Sequence, residues 1–159
     1  MGHDLLQIIN RVNCLLQITF PRSLHNGSIL SNSELYSPAW PLEQAAQNNQ
    51  WYGTESHECV ALVKPWIPGK ITKQWQRGIQ VKNNNIAQGT CIASFQYSDS
   101  KGYFYDGSIG GHAAVFVSQD SAGITVYDQW NTQPCHMRVI RFKGDGSKSN
   151  DGNEFYVIN

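Results

Sequence analysis

The chain has 159 residues and a mass of 17.8 kDa, one domain's worth of sequence, and 40% hydrophobic residues give it enough apolar material for a core, which excludes wholesale disorder. Twelve Lys and Arg balance twelve Asp and Glu, so the formal net charge is zero and the pI is about 6.9; the basic surplus of a dedicated nucleic-acid binder is missing. Only 15% of residues are charged, and 13 Asn, 13 Gln, five Trp, seven Tyr and six Phe take their place, a polar, uncharged and aromatic surface that suits a peptide or carbohydrate-bearing substrate better than a polyanion.

Leu5, Ile8, Ile9, Val12, Leu15 and Leu16 recur at helical spacing and predict an amphipathic helix closed by Pro21. Its polar face lacks the Lys and Arg of a membrane-surface helix, and no stretch reaches the roughly 18 apolar residues of a span, so no membrane insertion is expected. No signal peptide is expected either. Asn10, Arg11, Asn13 and Gln17 interrupt the apolar patches, with no basic segment before them and no small-residue cleavage site after. Residues 22–56 read as irregular, with a short helix around Pro41–Asn48. Residues 58–66, ECVALVKPW, predict a further helix with Cys59, Leu62 and Val63 on one face, ended by Pro65 and Pro68.

Strand-type runs follow at Gly78–Lys82, Thr90–Gln96, His112–Ser118, Ile124–Trp130, Met137–Phe142 and Phe155–Ile158. Turn signals separate them: NNN at 83–85, DSKG at 99–102, DSAG at 120–123 and GDG at 144–146. Helices first and strands after predict an α+β fold with a five- or six-stranded antiparallel sheet. With no repeat and no linker, the chain reads as a single domain over 1–159, a helical or irregular N-terminal extension (1–45) leading into a catalytic core (50–158).

Four cysteines stand at 14, 59, 91 and 135 with no C-x-x-C pair, so neither a structural zinc site nor a disulfide scaffold is expected; one Cys91–Cys135 disulfide would fit an oxidising compartment. No His, Cys or Asp cluster has ligand spacing, so no metal and no cofactor are expected. Cys59 opens its predicted helix, where free backbone N–H groups favour a thiolate; a small buried apolar residue is the plainer reading. A thiol nucleophile needs a base. His3, His25 and His57 are poorly placed, and His136 falls in an expected loop beside Cys135. His112 follows Gly110-Gly111 and opens a strand, and Asp128 lies 16 residues on, so a regular hairpin brings the two together. Gln129 is the alternative third residue, although it should point to the opposite face.

HECVALVK, GGHAAVFV some fifty residues later and then GITVYDQW together resemble the papain-like NlpC and CHAP superfamily of cysteine amidases and peptidases. With ITKQWQRGIQV and GTCIASF, residues 50–158 are similar to small amidase effectors of type VI secretion that attack peptidoglycan. The resemblance implies a papain-like fold and a Cys59, His112 and Asp128 triad. It implies the peptidoglycan stem peptide as substrate, with Trp51, Tyr52, Gln129 and Trp130 as its binding residues. It further implies a cognate immunity protein, a secretion-apparatus partner, synthesis in the bacterial cytoplasm and action in the target periplasm. A phage-type endolysin or a non-catalytic wall-binding domain on the same fold is the alternative. One departure stands out: His57-Glu58 occupy the place where Gly-Gln usually precedes the cysteine, which leaves the oxyanion donors open.

Overall fold

The runs rich in β-branched and aromatic residues pair into one antiparallel sheet, and two short helices lie against it. The computed structural model describes residues 24–25, 28–29 and 39–159. The chain divides into two units, Met1–Ser37 and Pro38–Asn159. In the first, β1 (Leu24–His25) pairs antiparallel with β2 (Ser28–Ile29). The helix predicted from Leu5 to Leu16 lies outside the described residues.

The second unit opens with α1 (Ala39–Gln47), which tolerates Pro41 in its first turn. Helix α2 (Cys59–Val63) is shorter than the predicted 58–66, because Pro65 has no N–H to continue the ladder and the chain tightens into a 3-10 turn at Lys64–Trp66. The strands are β3 (Arg77–Gln80), β4 (Cys91–Ser94), β5 (Gln96–Ser98), β6 (Gly102–Phe104), β7 (Ala113–Gln119), β8 (Gly123–Trp130), β9 (Gln133–Arg141) and β10 (Phe155–Ile158). Six of them form the main sheet in the order β3-β10-β4-β7-β8-β9, every pairing antiparallel. The DSAG turn joins β7 to β8, with the Asp120 carboxylate accepting from the Ala122 and Gly123 N–H groups.

Two strand readings change. The single run Thr90–Gln96 splits at Phe95, and Gln96–Ser98 pairs with Gly102–Phe104 as a separate hairpin around the 99–102 turn. β9 begins four residues before the predicted Met137, so Pro134, Cys135 and His136 are strand rather than loop. An edge strand leaves one side of its backbone unpaired, and Pro134 fits there without breaking the ladder.

Period-two alternation sends each strand's residues to two cores. Ala93, Ala113, Val115, Tyr127 and Cys135 pack with Leu42, Leu62 and Val63 of the helices. Ile92, Ala114, Phe116, Ile124, Val126, Ile140 and Phe155 pack on the other face with Val81. Burial on both faces is why HAAVFV reads as an unbroken apolar run.

The Cys91–Cys135 disulfide that an oxidising compartment would allow is not formed: Cys59, Cys91 and Cys135 are all free thiols. Cys91 on β4 and Cys135 on β9 are separated by three strand spacings, roughly 14 Å, beyond the reach of a disulfide. Cys135 instead donates to the Leu42 carbonyl at 3.5 Å. Burial pushes both thiols up to about 12.

Candidate active site

Strand β8 positions both halves of the site through neighbouring residues. Alternation turns Asp128 and Gln129 to opposite faces, as their spacing predicts. Gln129 faces the helices and is fully buried. Its Oε1 accepts from the Tyr52 N–H at 2.8 Å, and its Nε2 donates to the carbonyls of Tyr52 at 3.0 Å and Glu58 at 3.2 Å. All three bonds go to the segment that leads into α2, so Gln129 fixes where Cys59 begins its helix. With its amide spent in this way, Gln129 has no surface for a substrate; that expectation is corrected.

His112 is held by the turn before it. Gly110 takes φ +91°, a left-handed conformation that favours glycine. Gly111 passes so close to the Asp106 carbonyl that a Cβ would sit 2.5 Å from its oxygen. The His112 N–H donates to Ser94 Oγ at 3.0 Å, and its carbonyl accepts from the Ser94 N–H at 2.9 Å. The Val115–Tyr127 register, continued to the strand end, sets His112 across from Trp130 and makes Asp128 its diagonal neighbour on the same face.

The structure brings Cys59, His112 and Asp128 together. His112 Nε2 lies 2.8 Å from Asp128 Oδ2, and the same imidazole interacts with the Cys59 thiol. Cys59 is 6% exposed, His112 7% and Asp128 0%, so the charges meet in a low-dielectric setting. Burial works to raise the Cys59 pKa. The His112 hydrogen bond and charge, the Tyr105 hydroxyl and the Ala113 N–H overcome it and hold the thiol below its ordinary value. Burial likewise works to lower His112, but the Asp128 hydrogen bond and the Cys59 sulfur raise it to about 9. Each group thus favours the charged form of the other, thiolate beside imidazolium. With only five residues, α2 contributes little dipole to this; the named partners stabilise the charge.

Three residues at the site escaped the sequence reading. Tyr105, just after β6, places its hydroxyl 3.6 Å from Cys59 Sγ. Arg138 on β9 sets Nε and Nη2 each 2.8 Å from Asp128 Oδ2, and its Nη1 donates to Asn150 Oδ1 at 2.9 Å. His136, directly across the ladder from Asp128, brings Nε2 to 3.6 Å from Oδ1. The signal for Arg138 and His136 was the Asn131-Thr132 pair, which turns β8 back on itself and sets them opposite Val126 and Asp128.

The other expected binding residues divide. Trp51 donates its indole N–H to the Trp130 carbonyl at 3.2 Å and stacks on His57, ring centroids 4.1 Å apart. Trp130 is half-buried and meets the His112 ring edge-on at 6.5 Å. Tyr52 instead packs on the helix-side core and stacks with Trp66. Among the described residues, no group of three or more His, Cys, Asp or Glu could hold a metal ion, and no helix is long and apolar enough to cross a membrane.

Residues 35–158 match the family described as domesticated amidase effector 2. The chain is 41% identical over 111 residues to domesticated amidase effector 2 of Ixodes scapularis, covering 67% of this chain and 73% of that protein. It is 36% identical over 121 residues to the type VI secretion amidase effector 2 protein of Salmonella typhi, covering 73% and 87%. A solved type 6 secretion amidase effector 2 (Tae2) matches with a TM-score of 0.57 at 31% identity, covering 72% of this chain and 90% of that one. This likeness and the six-stranded antiparallel sheet bear out the α+β, papain-like architecture read from the sequence.

Proposed function

The chain belongs to the domesticated amidase effector 2 family, and from that premise we propose that it is a cysteine peptidoglycan amidase whose triad is Cys59, His112 and Asp128. The observation that carries this reading is one imidazole that meets both the Cys59 thiol and, at 2.8 Å, a buried carboxylate. The Cys59 thiolate attacks an amide carbonyl. The pair of electrons moves to the oxygen, and its return expels the amine, which takes a proton from His112. Water, deprotonated by His112, then attacks the thioester, and Cys59 leaves as the thiolate. Asp128 holds the ring through Nε2, which leaves Nδ1 for sulfur, and stabilises the imidazolium.

The substrate class is the peptide stem of peptidoglycan. The names of the relatives as secreted amidase effectors and the resemblance of the motifs support this, as does the Trp51–Trp130 pair beside His112. The same relatives support export through a type VI apparatus; the reading extends to an apparatus component as partner, action in the target periplasm and a cognate immunity protein in the producer. The identity to the Ixodes scapularis protein favours a second reading for delivery alone, in which the same enzyme leaves its cell by another route.

The test is digestion of purified Gram-negative sacculi by wild type and Cys59→Ala, with soluble products read by mass spectrometry. Stem-peptide fragments from wild type only are expected, and their masses name the bond. No release by folded wild type would point to a wall-binding domain or to another substrate. Equal release by both would remove Cys59 from the mechanism.

A further inference from the structure

We infer that Tyr105 supplies a side-chain oxyanion donor: its phenol hydrogen-bonds the substrate carbonyl oxygen as Cys59 attacks. The inference rests on Cys59 being the nucleophile. The Tyr105 hydroxyl lies 3.6 Å from Cys59 Sγ, on a ring only 7% exposed. Trp75 at 4.9 Å and Phe95 at 6.4 Å between centroids fix that ring from two sides, so the hydroxyl is positioned before the substrate arrives. His57 and Glu58, in the place of Gly-Gln, supply no such group. His57 is stacked on Trp51, and the Glu58 carboxylate accepts from the Asn131 amide.

The geometry suits the reaction coordinate. As the sulfur–carbon bond forms, the carbonyl π pair moves to an oxygen on the attacked carbon, beside the sulfur that the hydroxyl already faces. The charge that the hydroxyl meets on sulfur in the free enzyme thus passes to oxygen within its reach. When the intermediate collapses, the oxygen pair re-forms the carbonyl, the carbon–nitrogen bond breaks and His112 protonates the amine. The phenol keeps its proton throughout. Burial, Cys59, Glu58 and Asp106 all push its pKa up, so it remains a donor. Gly107 lies against the same hydroxyl, where an added Cβ would sit 3.5 Å from the oxygen, and the absent side chain leaves that approach open.

Two probes of Cys59 separate this role from thiol tuning, and neither depends on the natural substrate. p-Nitrophenyl acetate acylates the sulfur through a tetrahedral oxyanion; iodoacetamide alkylates it by direct displacement and forms none. In the full chain, Tyr105→Phe is expected to slow acylation on the order of 10-fold or more at the alkaline plateau. Plateau alkylation should stay within about two-fold, because Phe keeps the ring packing and removes only the donor. Equal slowing of both reactions, or of neither, would overturn the inference while leaving Cys59 as nucleophile. If Tyr105→Phe does not fold, 3,5-difluorotyrosine at position 105 keeps the shape and sharpens the donor. Acylation at pH 6 should then match or exceed wild type, and slower acylation with unchanged alkylation would overturn the inference. A wild-type Cys59 unreactive to both probes would overturn the nucleophile and the oxyanion donor together.

Discussion

Asp128→Asn tests whether charge, rather than shape, lets the carboxylate serve His112. The amide oxygen can still accept from Nε2, so ring orientation survives and the negative charge is lost. A hydrogen bond to a charged partner contributes roughly 1.5–3 kcal/mol and a neutral one roughly 0.5–1.5, so the imidazolium loses about 1–2 kcal/mol. At about 1.4 kcal/mol per pKa unit, His112 should fall from about 9 to about 8, since Cys59 still holds it up. The sign follows from the raised pKa. The imidazolium exists below the His112 value and is lost as pH rises through it, so the alkaline limb of amide cleavage, which needs His112 as the acid, moves down by about one unit. The matching share of folding stability is fully present below the unfolded value of about 6.5 and disappears on rising through the folded one. The assay is the pH profile of kcat/KM on sacculi, whose maximum is expected to drop about 10-fold. An alkaline limb that does not move, with kcat/KM unchanged, would refute the electrostatic account of Asp128.

Arg138→Gln should act with the opposite sign on that limb: removing a cation from beside the imidazolium raises the His112 pKa, while the lost ion pair to buried Asp128 lowers the melting temperature. Gln129→Leu strands the Tyr52 N–H and the Tyr52 and Glu58 carbonyls, and urea denaturation should show a loss on the order of 3 kcal/mol or more. Gly53→Ala should destabilise by more than about 2 kcal/mol in the same assay, because its φ is +91° and the new Cβ would lie 2.3 Å from the Ala61 carbonyl oxygen. A non-reducing peptide map should contain no Cys91–Cys135 linked fragment; finding one would contradict the strand order.

The Cys59–His112–Asp128 grouping was legible because each partner sits at a punctuated place: a helix start, a glycine pair, and the return strand of a short hairpin. The six strands of the main sheet were legible from runs bounded by turn signals in the same way. What escaped depended on distant packing. β5 and β6 have three residues each, too few for alternation to register, so nothing placed Tyr105 near a cysteine 46 positions away. Pro134 made the start of β9 look like a loop, and with it went the ladder that sets His136 and Arg138 around Asp128. Gln129 was read as facing away from His112, which is its orientation, but the segment it would meet there is 77 residues off in Tyr52.

Strand β10 carries a consequence for how the enzyme is made. It comes last of the strands in chain order, yet it lies inside the sheet between β3 and β4. A chain leaving the ribosome can close β7, β8 and β9 from near neighbours, but Gln80 on β3 waits for Tyr156. Pairings of such long sequence separation form late and slowly. Phe155 on that strand is also the ring that meets His112 edge-on at 6.4 Å. A translation product that stops before residue 155 therefore holds Cys59, His112 and Asp128 but lacks the central strand whose Phe155 packs against His112.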